Sequence, residues 1–221
     1  MSNTIVGMCC LHVGATSHDK NTFQSYIHYI RRTHVDVVIL GDLCDFGVPN
    51  SKHPETVWQQ TITPGEQIDK CADILYPIRK NIKAICGGNH ADRIYRLTGV
   101  HPEKVIADLL GVKYVPNGHT FNYHGKTFYM THGKGSSDFN KVLLRHSGID
   151  IFLIGHTHNW EHKVVCILHG KNQIKRQIHL IRCGSFLNDA EYAKKAIYQP
   201  TPVGSPFITI DKNKVQVNFG I

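Results

Sequence analysis

No stretch of this 221-residue chain approaches the ~18 uninterrupted apolar residues of a membrane-spanning helix. The first residues (MSNTIVGMCCLHVG) also lack the basic start and long apolar core of a signal peptide. These absences predict a cytoplasmic protein with no membrane partner. None of the seven cysteines (Cys9, Cys10, Cys44, Cys71, Cys86, Cys166, Cys183) stands in a C-x-x-C pair, which excludes a zinc ribbon and a thioredoxin-type motif and leaves reduced thiols as the default. Internal repeats, low-complexity tracts and linkers are missing too, so residues 1–221 read as a single domain. Length and a 41% hydrophobic content exclude disulfide-stapled mini-scaffolds, collagen-like chains and disorder. Acidic residues are few: 17 Asp and Glu stand against 25 Lys and Arg, giving a formal charge of +8. A positive field concentrates anions near the surface. The basic residues are scattered, however, with short clusters only at Arg31-Arg32, Lys175-Arg176 and Lys194-Lys195, so ordinary solvated lysines explain the excess equally well.

What is present is an alternation of apolar runs and helical periodicities. Residues 4–10, 35–40 and 82–86 are short apolar runs that read as buried strands. Between them, residues 22–32 carry Phe23, Tyr26, Ile27 and Ile30 at helical spacing, and Thr63-Pro64-Gly65-Glu66 has the form of a capping box opening a helix to about residue 80. Further helical stretches cover 91–97 and 102–110, the latter ending at Gly111. Strands then dominate. Residues 120–123 and 127–131 flank a turn at His124-Gly125, 149–154 (IDIFLI) is an apolar run, and hairpin turns are expected at His169-Gly170-Lys171 and Asp211-Lys212-Asn213. Residues 199–206 read as a surface loop. The sum is an α/β architecture with sheets inside and helices outside.

Five polar clusters each follow a predicted strand directly: Cys10-Leu11-His12, Gly41-Asp42-Leu43-Cys44-Asp45, Gly87-Gly88-Asn89-His90, His132-Gly133 and Gly155-His156-Thr157-His158. In open α/β sheets ligands bind beyond the carboxyl ends of the strands, which brings all five toward one place. Taken singly they are ambiguous. His132 also fits a hydrogen-bonded strand-end histidine, and Asp42-x-x-Asp45 a turn or helix cap. His156-x-His158 says more, because an i, i+2 pair in an extended segment points to one side. This concentration of His, Asp and Asn suits Mn²⁺, Fe or Zn²⁺ better than Ca²⁺ or a thiolate-only centre, and it exceeds what one structural ion needs. The neighbouring glycines allow sharp turns.

Together GDLCD, GGNHADR, THG and GHTH, in this order and each after a strand, resemble the motifs of the calcineurin-like metallophosphoesterases, and the stretch from TPGEQ through PIRKNIKAICGGNHADRIYRLTG looks closest to small bacteriophage-type members. The resemblance implies a four-layer αββα sandwich, two mixed β-sheets flanked by helices, with the strands after Asn159 in the second sheet. It implies hydrolysis of a phosphate ester by two divalent metal ions, Mn²⁺ foremost, with Fe, Zn²⁺ or Ni²⁺ as alternatives. Asp42 would bridge the ions, His12 and His158 completing the first and Asn89, His132 and His156 the second. His90 would be the proton donor or leaving-group stabiliser, and Asp45 would orient a ligand or bound water. A phage origin would place the protein in the host cytoplasm.

The chain departs from the family pattern in two places. The first family motif is normally D-x-H, and Cys10 holds the Asp position here. Cys10 is either a first-ion ligand favouring softer metals or a buried strand cysteine. The acidic residue that usually follows GNH is Ala91, with Asp92 one position later. Arg93 is close enough to the motif to contact a phosphate oxygen, or else lies on a solvated helix face, and His53 sits in a long loop within reach of substrate. Gly118-His119-Thr120 imitates the last motif without its second His and precedes a strand, so it reads as structural. The expected substrate is a phosphodiester of nucleic acid or a nucleotide. Its rivals are a phosphomonoester, or no reaction at all in a binding module that has lost one metal through Cys10.

Overall fold

The computed structural model describes residues 2–51, 54–134, 139–169, 174–188, 199–212 and 214–221. In chain order the first half contains β1 (Thr4–Met8), α1 (Lys20–Thr33), β2 (Asp36–Ile39), α2 (Pro64–Leu75), β3 (Ile82–Cys86), α3 (Asn89–Thr98), α4 (Pro102–Leu110) and β4 (Tyr114–Val115). The second half contains β5 (Gly118–Tyr123), β6 (Lys126–Thr131), α5 (Phe139–Arg145), β7 (Ile151–Ile154), β8 (Trp160–His169), β9 (Ile174–Cys183), β10 (Pro206–Asp211) and β11 (Lys214–Phe219). One sheet has the order β11-β10-β1-β2-β3-β4 and the other β5-β6-β7-β9-β8.

The apolar runs are explained by burial on both faces. Successive strand residues point to opposite sides, and in β1 Ile5 packs between the sheets while Val6 and Met8 pack against helices. In β7, Ile151 and Leu153 face the first sheet, whereas Phe152 and Ile154 meet Phe139 of α5 on the outside. Phe23, Tyr26, Ile27 and Ile30 of α1 cover the outer face of the first sheet together with Cys71 and Leu75 of α2 and Ile106 of α4. The result is the expected four-layer αββα sandwich.

Local signals hold closely. Asp19 caps α1 by accepting from Thr22 N at 2.9 Å, and Thr63 and Glu66 form both halves of the capping box on α2. Helix α2 ends at Leu75 rather than near residue 80, because Pro77 removes an N–H and the chain tightens into a 3₁₀ turn over Tyr76–Ile78. Strands β8 and β9 are the expected hairpin, its turn lying outside the described residues. Strands β10 and β11 correct the expectation that every strand after Asn159 joins the second sheet: β10 pairs antiparallel with β1 and covers the free edge of the first. Among the described residues no helix is long and apolar enough to cross a membrane.

Candidate metal centre

The polar clusters converge at the carboxyl ends of β1, β2, β3, β6 and β7. Backbone bonds lock the first two loops together, with Cys10 N donating to Gly41 O at 3.1 Å, His12 N to Asp42 O at 3.0 Å and Val13 N to Leu43 O at 2.9 Å. Gly88 lies directly on Asp42, and a Cβ there would collide with the Asp42 backbone nitrogen and carboxylate. Sharp turning is done by the donors themselves. Among the described residues, five of the nine non-glycine residues with positive φ are Cys10 (51°), His12 (48°), Asp42 (51°), His156 (69°) and His158 (60°). Such conformations cost of order 1–3 kcal/mol each and persist only where the surroundings impose them.

The donors fall into two linked groups. Cys10, His12 and His158 each bring a ligand atom within 4.8 Å of the other two, and so do Asp42, His132 and His156. Asp42 also joins His12 and His90 in a third set, so one carboxylate faces both groups. The i, i+2 argument for His156 and His158 fails: both take left-handed backbone, the segment is a turn, and the two rings serve different groups. Asn89, at the head of α3, reaches the second group through its Oδ1, 2.8 Å from His132 Nε2.

The fit to a cation follows from unsatisfied lone pairs. His132 Nδ1 stands 2.7 Å from Leu40 O, and a carbonyl only accepts, so Nδ1 carries the hydrogen. Without a proton on Nε2 the ring would aim a lone pair at two oxygens, Asn89 Oδ1 at 2.8 Å and Asp42 Oδ2 at 3.1 Å, with His156 Nδ1 at 3.2 Å. Only a positive charge, a proton or a metal ion, makes this favourable. Burial disfavours charge on His132, but Asp42 beside it holds its pKa well above the usual histidine range. Burial also works against ionised Asp42, yet His132 and His90 hold it well below the carboxylate range. In the first group His12 is 1% exposed, and neither ring nitrogen makes a hydrogen bond. Its Nδ1 lies 3.3 Å from Asp45 Oδ1 without hydrogen-bond alignment. Orphaned buried groups cost about 1–3 kcal/mol. Burial, reinforced by neighbouring histidine charge, lowers the pKa of both His12 and His158 and keeps their rings neutral, as metal ligands must be. Burial pushes the Cys10 thiol up, so it would bind a metal only by releasing its proton.

His90 faces the groups from α3. Its Nδ1 donates to Asp45 O at 2.6 Å, and its Nε2 accepts from Arg93 Nη2 at 2.9 Å. Its backbone N–H donates to Asp42 Oδ1 at 2.9 Å. The Asp45 carboxylate lies between His12 and His90, Oδ1 being 3.4 Å from His90 Nδ1. Asp92 is exposed and does not replace an acid at the buried Ala91. His119 lies outside the groups on β5, beside Lys113 Nζ at 3.0 Å, and His53 lies outside the described residues.

Three residues escaped the sequence reading. Cys9 Sγ lies 3.0 Å from Cys10 Sγ. Buried Gln67 of α2 accepts from Phe46 N at 2.9 Å and so holds the loop after Asp45. Glu103 of α4 is fully buried beneath the loops, and burial together with the Asp42 charge raises its pKa to about 8. A signal for Glu103 exists: it shares the helical stripe of Ile106, Ala107 and Leu110, a carboxylate on an apolar face.

No protein-family model matches the sequence, and no curated protein does. Solved structures do match, at low identity. Vps29 of Entamoeba histolytica, complexed with zinc, aligns over 98% of this chain and 97% of its own with a TM-score of 0.56 and 13% identity. An archaeal phosphodiesterase aligns over 98% and 99% with a TM-score of 0.53 and 14% identity. A dimetal phosphatase of Danio rerio aligns over 98% and 95% with a TM-score of 0.51 and 9% identity. Nearly full coverage on both sides at TM-scores above 0.5 shows that the chain shares the fold of these three proteins, the two-sheet sandwich of the calcineurin-like fold.

Proposed function

We propose that the protein is a metal-dependent phosphoesterase acting on phosphodiesters of nucleic acid or nucleotides through two divalent cations. The observation that carries this reading is the convergence of His132 Nε2, Asn89 Oδ1 and Asp42 Oδ2, at 2.8 and 3.1 Å from the ring nitrogen, beside a second group whose His12 ring has no hydrogen bond. Cys10, His12 and His158 would hold one ion, Asn89, His132 and His156 the other, and Asp42 both. Bound there, the ions would supply Lewis-acid activation of a water and neutralise charge on the phosphoryl oxygens. Manganese is the first choice for the nitrogen and oxygen donors of the second group.

His90 is the proposed proton donor to the leaving oxygen. With Nδ1–H fixed on Asp45 O, Nε2 would first take up a proton from solvent, and the resulting imidazolium would pass that proton to the leaving oxygen and return to the neutral ring. Arg93 lies on that nitrogen at 2.9 Å, so a phosphate drawing the guanidinium toward itself uncovers the ring at the same moment. Asp45 steadies both His12 and His90 from behind. The archaeal phosphodiesterase among the fold neighbours supports a diester, and the dimetal phosphatase beside it supports the monoester rival. The test is hydrolysis of bis-p-nitrophenyl phosphate against p-nitrophenyl phosphate with added Mn²⁺, alongside elemental analysis. Two ions per chain with diester preference support the reading. Monoester preference corrects the substrate, and one tightly held ion without turnover points to a binding module.

A further inference from the structure

Glu103 stands in the first turn of α4, and its side chain enters the core on the stripe that also carries Ile106, Ala107 and Leu110. A fully buried carboxylate is expensive unless its lone pairs are used. Both oxygens are used, on two separate loops: Oε1 accepts from Leu43 N at 3.0 Å and Oε2 from Gly88 N at 2.6 Å. Leu43 follows Asp42 in the chain, and Gly88 precedes Asn89. The same two loops touch where Gly88 lies on Asp42, a contact that admits no side chain. Steric contact stops them approaching further, and the Glu103 carboxyl group, together with the His90 N–H bond to Asp42 Oδ1, stops them separating.

We propose that Glu103 is the positioning residue of this centre: its carboxylate clips the Asp42 loop to the Asn89 loop and fixes the placement of those two side chains before any ion arrives. The inference rests on the metal-centre reading above and extends it to a residue outside every motif. It also accounts for the missing acid after Asn89-His90. Ala91 is buried and Asp92 is exposed, so the acidic side chain beneath the GGNH loop comes from the next helix. An Asp42 and Asn89 that are free to drift bind a shared ion more weakly, because supporting groups that orient ligands are worth about 10–100-fold in metal affinity.

The experiment is Mn²⁺ titration of wild type, Glu103→Gln and Glu103→Asp by calorimetry, with far-UV circular dichroism to establish folding. Glutamine keeps the shape but places an NH₂ against one of the two N–H donors; aspartate keeps the carboxyl group but falls short of one of them. Both variants are expected to bind Mn²⁺ 10–100-fold more weakly, with turnover restored by excess Mn²⁺. Wild-type affinity in folded Glu103→Gln overturns the inference and leaves the metal centre standing. A wild type that binds no metal sinks the metal-centre reading and this inference with it. Should neither variant fold, hydrogen exchange of the wild type decides: the Leu43 and Gly88 amides are expected to be protected together and to gain protection together with Mn²⁺. Independent exchange at those two amides overturns the proposal.

Discussion

The two donor groups differ in how tightly their donors bond to one another. Around His132 the donors bond to one another, His132 Nε2 lying within 2.8 to 3.2 Å of Asn89, Asp42 and His156, so a proton can stand where a cation is expected. Around His12 the contacts are looser: Asp45 Oδ1 lies 3.3 Å from Nδ1 without hydrogen-bond alignment, and the nearby thiol of Cys10 is pushed toward its neutral form. A closely bonded donor group depends on its protonation as much as on its geometry, and the Cys10 thiol beside His12 adds a second titrating group to the looser one.

The largest effect expected is from Asp42→Ala, which removes the residue common to both groups. It should abolish loading of two ions and lower turnover by about 10³-fold or more, several kcal/mol of transition-state stabilisation; elemental analysis and bis-p-nitrophenyl phosphate hydrolysis check this. Retention of two ions would break the link between the groups. Next is His90→Ala, a residue proposed to hold neither ion, which should keep its metal content and lose about 10²- to 10⁴-fold in turnover. Loss of metal in that variant would move His90 from proton donor to ligand. Cys10→Asp addresses the difference directly: it should shift competition between Zn²⁺ and Mn²⁺ toward Mn²⁺ by about tenfold or more, and an unchanged preference makes Cys10 a bystander.

The smallest effect is on stability against pH. His12 and His158 have folded pKa values below their unfolded ones, so their contribution is present above the unfolded histidine value of about 6.5 and is lost as pH falls. His132 has the opposite sign: its contribution is present below about 6.5 and is lost as pH rises through its raised folded value. The metal-free protein should therefore be most stable near neutrality, each group contributing at most about 1.4 kcal/mol per pH unit, or about 2–4 °C per kcal/mol. Thermal scans from about pH 5 to 9 check this. Mn²⁺ should remove the alkaline limb only, by replacing the proton on His132; an alkaline limb that survives Mn²⁺ contradicts that exchange.

Local chemistry was the most legible part of the chain. The Thr63–Glu66 box, the stop at Gly111 and the hairpin turn at His124-Gly125 each depend on a few adjacent residues, and each is found. The convergence of the motif loops was legible because every cluster followed a strand. Long-range choices were less so: nothing within Pro206–Asp211 says that it pairs with β1 rather than with β9. His156 and His158 misled because alternation holds only for extended backbone, and tertiary contacts force both into a turn. Glu103 was missed because an acid in the first turn of a helix is ordinarily a partner of the helix dipole.

Thr4 and Thr209 bond side chain to side chain at 2.9 Å across 205 positions, and Cys10 O accepts from Phe186 N. Strand β1 and the loop it carries are thus made early by the ribosome and fully braced late, once residues 206–211 have emerged. Such distant pairing makes for slow folding and a long exposed interval. The loop that carries Cys10 and His12 is therefore complete only when the last hairpin has closed against the first strand.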